Sequence, residues 1–161
     1  MKSIQFDWTA MKNVQKIHRL LYAIGLGPLI GRIILLLTTT GRKSGQKRIT
    51  PLQYEEINGA IYLGAARGLK ADWVRNIQVD PQVEVRLKNR QFYSKAEIVT
   101  DPAKIADFLE VRLERHPRMI GLMMEKVHHL PKHPSRSQLE ELAKTEALVI
   151  LQPRTFSENL P

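Results

Sequence analysis

The chain has no cysteine in 161 residues, which excludes disulfide frameworks, thiolate zinc sites, iron–sulfur clusters and cysteine nucleophiles together. Any redox chemistry must come from a borrowed cofactor. Aromatic residues are scarce at 6% and form no RNP-like cluster, so Trp73, Tyr54 and Tyr62 read as core packing and no nucleic-acid partner is expected. There is no P-loop, GxGxxG or GxSxG, which removes the usual nucleotide cradles and the serine-hydrolase elbow. Long apolar runs are also lacking. The most membrane-like window, Leu20 to Leu37, is broken at Gly27-Pro28 and carries Arg32, which would cost about 3 kcal/mol at mid-bilayer. Without a spanning segment or a signal-peptide pattern, a cytoplasmic protein is expected. His128, His129 and His133 are closely spaced, but Pro131 interrupts the helix they would need, so no metal site is expected.

What is present is a globular composition, 43% apolar and 25% charged, in a chain of the length of one domain. The net charge of +9, from 25 Lys and Arg against 16 Asp and Glu, favours anionic ligands or surfaces.

Apolar residues at three- and four-residue spacing from Thr9 to Ile24 predict an amphipathic helix. Its basic outer face, with Lys12, Lys16 and Arg19, reads first as a solvated surface over the barrel and alternatively as a peripheral contact to anionic membrane. After the GLGP break, Ile33 to Thr40 reads as a buried strand, GRKSGQ as its turn, and Ile49 to Ile57 as the next strand. Asn58-Gly59 then marks a hairpin into AIYLGA, giving three sequential strands paired as a meander. KADWVRNIQVDP predicts a short helix capped by Asp72, with Trp73, Val74 and Ile77 facing inward. A second hairpin turns at Asn89, between Val83-Val85-Leu87 and QFYSKAEIVT. Asp101-Pro102 opens a helix to about Arg115. A helix over Met119 to Leu130, a short helix QLEELAK and a last strand ALVILQP complete the list. Strands arrive in hairpins, so the expected fold is mainly β with flanking helices (α+β): an antiparallel sheet curled into a barrel. One domain covers residues 1–161, with a helical arm at 1–30, a barrel core at 31–100, and helices plus a closing strand at 101–161.

TTTGRKSGQKR is the chemically loaded stretch. Four cations fall within seven residues around two glycines, where turn N–H groups and charged side chains can converge on a phosphate or carboxylate. A merely solvated basic turn is the plainer alternative.

The string LLLTTTGRKSGQKRITPL, followed by Asn-Gly, ARG, ADWVRNI and DPQVEV, resembles the deazaflavin-dependent nitroreductase family, split β-barrel oxidoreductases related to the FMN-binding barrels. The resemblance spans roughly residues 31–97. It implies a reductase that passes a hydride from reduced coenzyme F420 to a quinone, nitroaromatic or other activated small-molecule acceptor, and a homodimer. It also implies residue roles. Arg42, Lys43, Ser44 and Arg48 meet the phosphate and acidic tail. Thr50, Pro51 and Leu52 run alongside the ring, where backbone N–H groups could stabilise charge. Ala66, Arg67 and Gly68 form a phosphate-side loop, with Gly68 allowing close backbone approach, and Trp73 and Asn76 come from the helix beyond. The family has a proline before the tryptophan, where this chain has Asp72 after a shorter loop. Its substrate-facing tyrosines have no match; Met123, Met124, His128 and His129 stand in that region instead. Two other readings stay open: the same barrel binding FMN through its single phosphate, and a non-enzymatic basic barrel that binds an anionic ligand or nucleic acid.

Overall fold

A computed structural model describes residues 34–88 and 90–153. The expected N-terminal helix with its basic face, and Asn89 of the second hairpin, lie outside these residues. In chain order the elements are β1 (Ile34–Thr40), β2 (Lys47–Gln53), β3 (Glu55–Ile57), β4 (Ala60–Ala65), a 3-10 turn (Gly68–Lys70), α1 (Asp72–Val79), β5 (Gln82–Leu87), β6 (Arg90–Val99), α2 (Pro102–Arg115), α3 (Pro117–Lys126), α4 (Arg136–Ala143) and β7 (Ala147–Leu151).

The seven strands make one curled sheet in the order β2-β1-β5-β6-β7-β4-β3, antiparallel throughout. The expected antiparallel split barrel with flanking helices is therefore the fold. The meander is not. Residues 49–57 are two strands broken at Tyr54, and β2 and β3 lie at opposite edges of the sheet, so six expected strands become seven. β1 pairs with β2 and β5, and β4 pairs with β3 and β7. Pro51 sits on β2, at an edge, where its missing N–H spares the ladder.

Strand periodicity carries the core. Leu35, Leu37 and Thr39 alternate inward on β1, and Val83, Val85 and Leu87 do so on β5. With Ile61, Leu63, Val149 and Leu151 they fill the barrel, and each fully buried aliphatic contributes roughly 1.5–3 kcal/mol. A second cluster lies between the outer face of the β6-β7-β4 region and the helices: Ile105, Phe108 and Leu109 of α2, Ile120 and Met124 of α3, Leu139 and Ala143 of α4. Arg136 ties α4 to α2 through Asp107 at 2.7 Å and Glu110 at 3.0 Å.

The helix ends follow local chemistry, with two corrections. Asp101 caps α2 by accepting from the Ala103 N–H at 3.0 Å, and Ser135 with Gln138 forms a capping box on α4. Asp72, by contrast, is not a cap: Ala71 holds that position, and Asp72 is the first helical residue with its carboxylate engaged elsewhere. The helix expected over Met119 to Leu130 runs instead from Pro117 to Lys126, because Pro117 supplies a good first position and His129 adopts φ +55°. Among the described residues no helix is long and apolar enough to cross a membrane.

Candidate functional site

The basic turn is built by its own backbone. Gly41 N–H donates to the Gln46 carbonyl and Gly45 N–H to the Gly41 carbonyl, both at 2.7 Å, and Gln46 N–H donates to Ser44 Oγ at 3.3 Å. Arg48 folds over it, its Nε 3.5 Å from where a Cβ on Gly41 would stand.

Asn76 fastens this turn to α1. It is buried in the helix face that also carries Val74 and Ile77. Its Oδ1 accepts from the Arg42 backbone N–H at 3.2 Å and from Arg42 Nη1 at 3.0 Å. Its Nδ2 donates to Thr39 Oγ1 at 3.1 Å, which joins the helix to the end of β1. Arg42 Nη2 donates to Asp72 Oδ1 at 2.9 Å, and Nη1 to the Asp72 carbonyl at 3.4 Å. The hydrogen bond and charge of Arg42 hold the Asp72 carboxyl below its ordinary range, helped by Arg75 and Arg67.

The structure thus brings Arg42, Arg67, Trp73 and Asn76 together at the start of α1, with Lys43, Ser44 and Arg48 on the turn beside it. Lys43, Ser44, Arg48 and Arg67 are exposed, whereas Arg42 and Asn76 are largely occupied within the protein. Lys47 reaches Glu84 at 3.7 Å. Thr50 and Leu52 lie farther along β2, opposite Leu37 and Leu35, and Leu52 packs on the barrel core; Pro51 lies opposite Leu36. Ala66 is exposed at the end of β4. Gly68 is needed by the protein itself: it is buried at φ +57°, and a Cβ there would lie 2.5 Å from the Thr145 carbonyl oxygen. Trp73 packs against the core as expected.

Two features escaped the sequence reading. Glu55, with its side chain 6% exposed, meets Arg112 at 3.8 Å, Arg115 at 3.2 Å and His116 at 3.0 Å, and so ties β3 to the end of α2. Arg112 also donates to Gln53 and lies over the Phe108 ring. The signal was available, since Arg112 continues the inward series Ile105, Phe108, Leu109 at helical spacing. The second is Glu146, which is buried, beside the partly buried His128, 3.8 Å apart. Burial raises the Glu146 carboxyl to about 7 against the pull of Arg112, and burial, then His129, lowers His128. Met124 is wholly buried, so it cannot face a substrate. A groove of about 360 Å³ between α2 and the outer sheet face is lined by Tyr62, Phe108, Ile150 and neighbours, and contains none of the expected site residues.

The model of the F420H(2)-dependent quinone reductase family matches residues 11–118, two thirds of the chain. The chain belongs to this family. The reductase is thus an oxidoreductase of the F420-dependent kind, in line with the motifs around the basic turn. Its fold is similar to that of an F420-H2-dependent reductase (FDR-A), with 23% identity, a TM-score of 0.51, and coverage of 75% of this chain and 95% of that one. A structure described as a domain-swapped dimer gives 20%, 0.52, and 88% and 98%. A putative pyridoxamine 5'-phosphate oxidase from Listeria innocua gives 10%, 0.52, and 86% and 94%. At these identities the likeness is one of fold.

Proposed function

We propose that the protein binds coenzyme F420 with its anionic end on the 41–48 turn and passes a hydride to a quinone, nitroaromatic or similarly activated acceptor in the cytoplasm. The observation that carries this reading is the charge asymmetry of the site. Residues 41–48 and 66–76 contain seven Lys and Arg and one acid, Asp72, and all of the cations except Arg42 are exposed. Such a cluster suits a phosphate and a polycarboxylate tail through long-range attraction and charge-assisted hydrogen bonds.

Lys43, Ser44, Arg48 and Arg67 would hold the anionic end, with Arg42 oriented by Asn76 to join them. When bound, the reduced deazaflavin supplies the hydride. The protein's part is to orient the ring along β2 and to exclude water. Pro51 has no N–H, and a proline suits an antiparallel ladder where its nitrogen faces away from the neighbouring strand. By alternation the N–H groups of Thr50 and Leu52 turn toward β1, so donors on the open side of β2 come from Ile49 and Gln53. The Thr50–Leu52 segment would then offer the ring a surface more than donors.

We further infer a homodimer, supported by the fold's similarity to a domain-swapped dimer; a monomer mass by light scattering removes that part.

The test is fluorescence titration with oxidised coenzyme F420 beside FMN at equal salt. Deazaflavin binding that Lys43→Ala or Arg48→Ala weakens by about 1–3 kcal/mol supports the reading. Preferential FMN binding changes the cofactor and keeps the barrel. Silence from both, with strong salt-dependent binding to oligonucleotides, replaces the reading with a basic binding module.

A further inference from the structure

The cationic turn already holds an anion of its own. The Arg42 guanidinium is clamped on its inner side by the buried Asn76 amide, through Nη1 at 3.0 Å. With the Asp72 backbone carbonyl at 3.4 Å from the same nitrogen, that contact fixes its direction without help from the Asp72 carboxylate. Nη2 carries the Asp72 carboxylate at 2.9 Å. The two side chains differ sharply in exposure, 22% for Arg42 and 76% for Asp72, so the carboxylate can swing into water while the guanidinium stays in place.

Asp72 is also the single acid in the two segments that frame the site, against seven cations, and Arg67 and Arg75 act on it as well as Arg42. An oxyanion of a ligand approaching this cluster would seek the nitrogen that Asp72 Oδ1 now occupies.

We propose that Asp72 is a resident counter-ion that competes with the anionic end of the ligand for Arg42, weakening the hold on every anion and keeping small ions off the prepared guanidinium. This rests on the cofactor reading above only in the identity of the ligand; the competition concerns the cation site itself. The Asp72→Asn change removes the competitor and leaves Asn76 to orient Arg42, whereas Asp72→Glu retains the charge.

The experiment compares wild type, Asp72→Asn and Asp72→Glu with three probes: coenzyme F420, the deazaflavin alcohol that lacks phosphate and tail, and sodium tripolyphosphate. Asp72→Asn is expected to bind coenzyme F420 and tripolyphosphate roughly two- to fivefold more tightly, the scale of an exposed charge pair, with a steeper loss on adding salt. The tail-less deazaflavin should be unaffected, and Asp72→Glu should stay near wild type. Unchanged or weaker binding of both anionic probes to a folded Asp72→Asn protein overturns the proposal, as does an equal gain for the tail-less compound. If wild type binds neither flavin compound, the cofactor reading fails by itself. Tripolyphosphate, followed by the amide resonances of Arg42 and Asn76, then decides Asp72 alone: tighter binding in Asp72→Asn supports the competition and equal binding removes it.

Discussion

One carboxamide oxygen on Asn76 receives both the backbone N–H of Arg42, at 3.2 Å, and its guanidinium Nη1, at 3.0 Å. A residue in a buried helix face therefore holds both ends of an arginine on a surface turn, while the same amide reaches Thr39 on β1. Asn76→Ala should cost about 1–3 kcal/mol, through the lost bonds and a Thr39 hydroxyl left without its donor. It should also speed hydrogen exchange at Gly41 and Gly45. Unaltered exchange together with unaltered urea unfolding would mean that the turn holds itself.

Gly68 and Gly59 both have positive φ, +57° and +81°, but only Gly68 is crowded. A Cβ there meets the Thr145 carbonyl oxygen at 2.5 Å, while at Gly59 nothing lies within 4 Å. Gly68→Ala is expected to cost about 2–4 kcal/mol from strain and displaced backbone together, and Gly59→Ala about 1 kcal/mol from conformation alone. Thermal unfolding of the two variants side by side checks the order, and equal losses would contradict it.

The Glu55 cluster sets one buried carboxylate among three partners of unequal exposure. Glu55→Ala leaves Arg112 buried without its carboxylate, a change that typically costs about 3–5 kcal/mol. Arg115→Ala removes a partner that is 43% exposed and should cost about 1 kcal/mol or less. Urea midpoints that fall in the reverse order would refute this account of β3 docking on α2.

Glu146 and His128 pull the pH profile in opposite directions. The folded protein holds a proton on Glu146 up to about pH 7, against 4.5 ordinarily, so stability falls as pH rises between those values and stays low above them. His128 is lowered from 6.5, so below that pH the unfolded chain binds the proton first and stability falls again. The folded protein ionises Glu146 only above about pH 7 and protonates His128 only below 6.5, so the two side chains, 3.8 Å apart, are not charged together and form no ion pair that would offset burial. Glu146→Gln should flatten the loss between pH 4.5 and 7 and leave the acid-side fall from His128. A profile parallel to wild type in that window would exclude Glu146 as its source.

The parts of this structure readable in advance are those governed by near neighbours. Asn58 and Gly59 sit at φ 51° and 81°, the backbone a two-residue hairpin demands, and Asp101-Pro102 opens α2 as its chemistry requires. The misreadings arise where a distant residue decides. Asp72 looks like a cap until Arg42, thirty residues earlier, takes its carboxylate. Residues 49–57 look like one strand because nothing local says that β2 and β3 leave for opposite edges at Tyr54. The basic turn stands out in composition and spacing, but its fastening by Asn76 and the internal use of Arg42 depend on α1 packing against β1. Glu55 lies on a strand of three residues, too short to show a period, and only Arg112 on the apolar stripe of α2 hinted at its partner.

The last of these strands to leave the ribosome, β7, does not sit at a rim: it is inserted between β6 and β4, with Leu151 opposite both Ala96 and Ile61. The β3–β4 hairpin therefore emerges early and must wait through the synthesis of β5, β6 and four helices before its neighbour exists. Contacts of such long separation are slow to form, and a waiting hairpin exposes an open edge to other chains. A chain cut short before Ala147 would lose both attachments at once. Half of the barrel is thus assembled in the manner of an arch, standing only when its final stone is set.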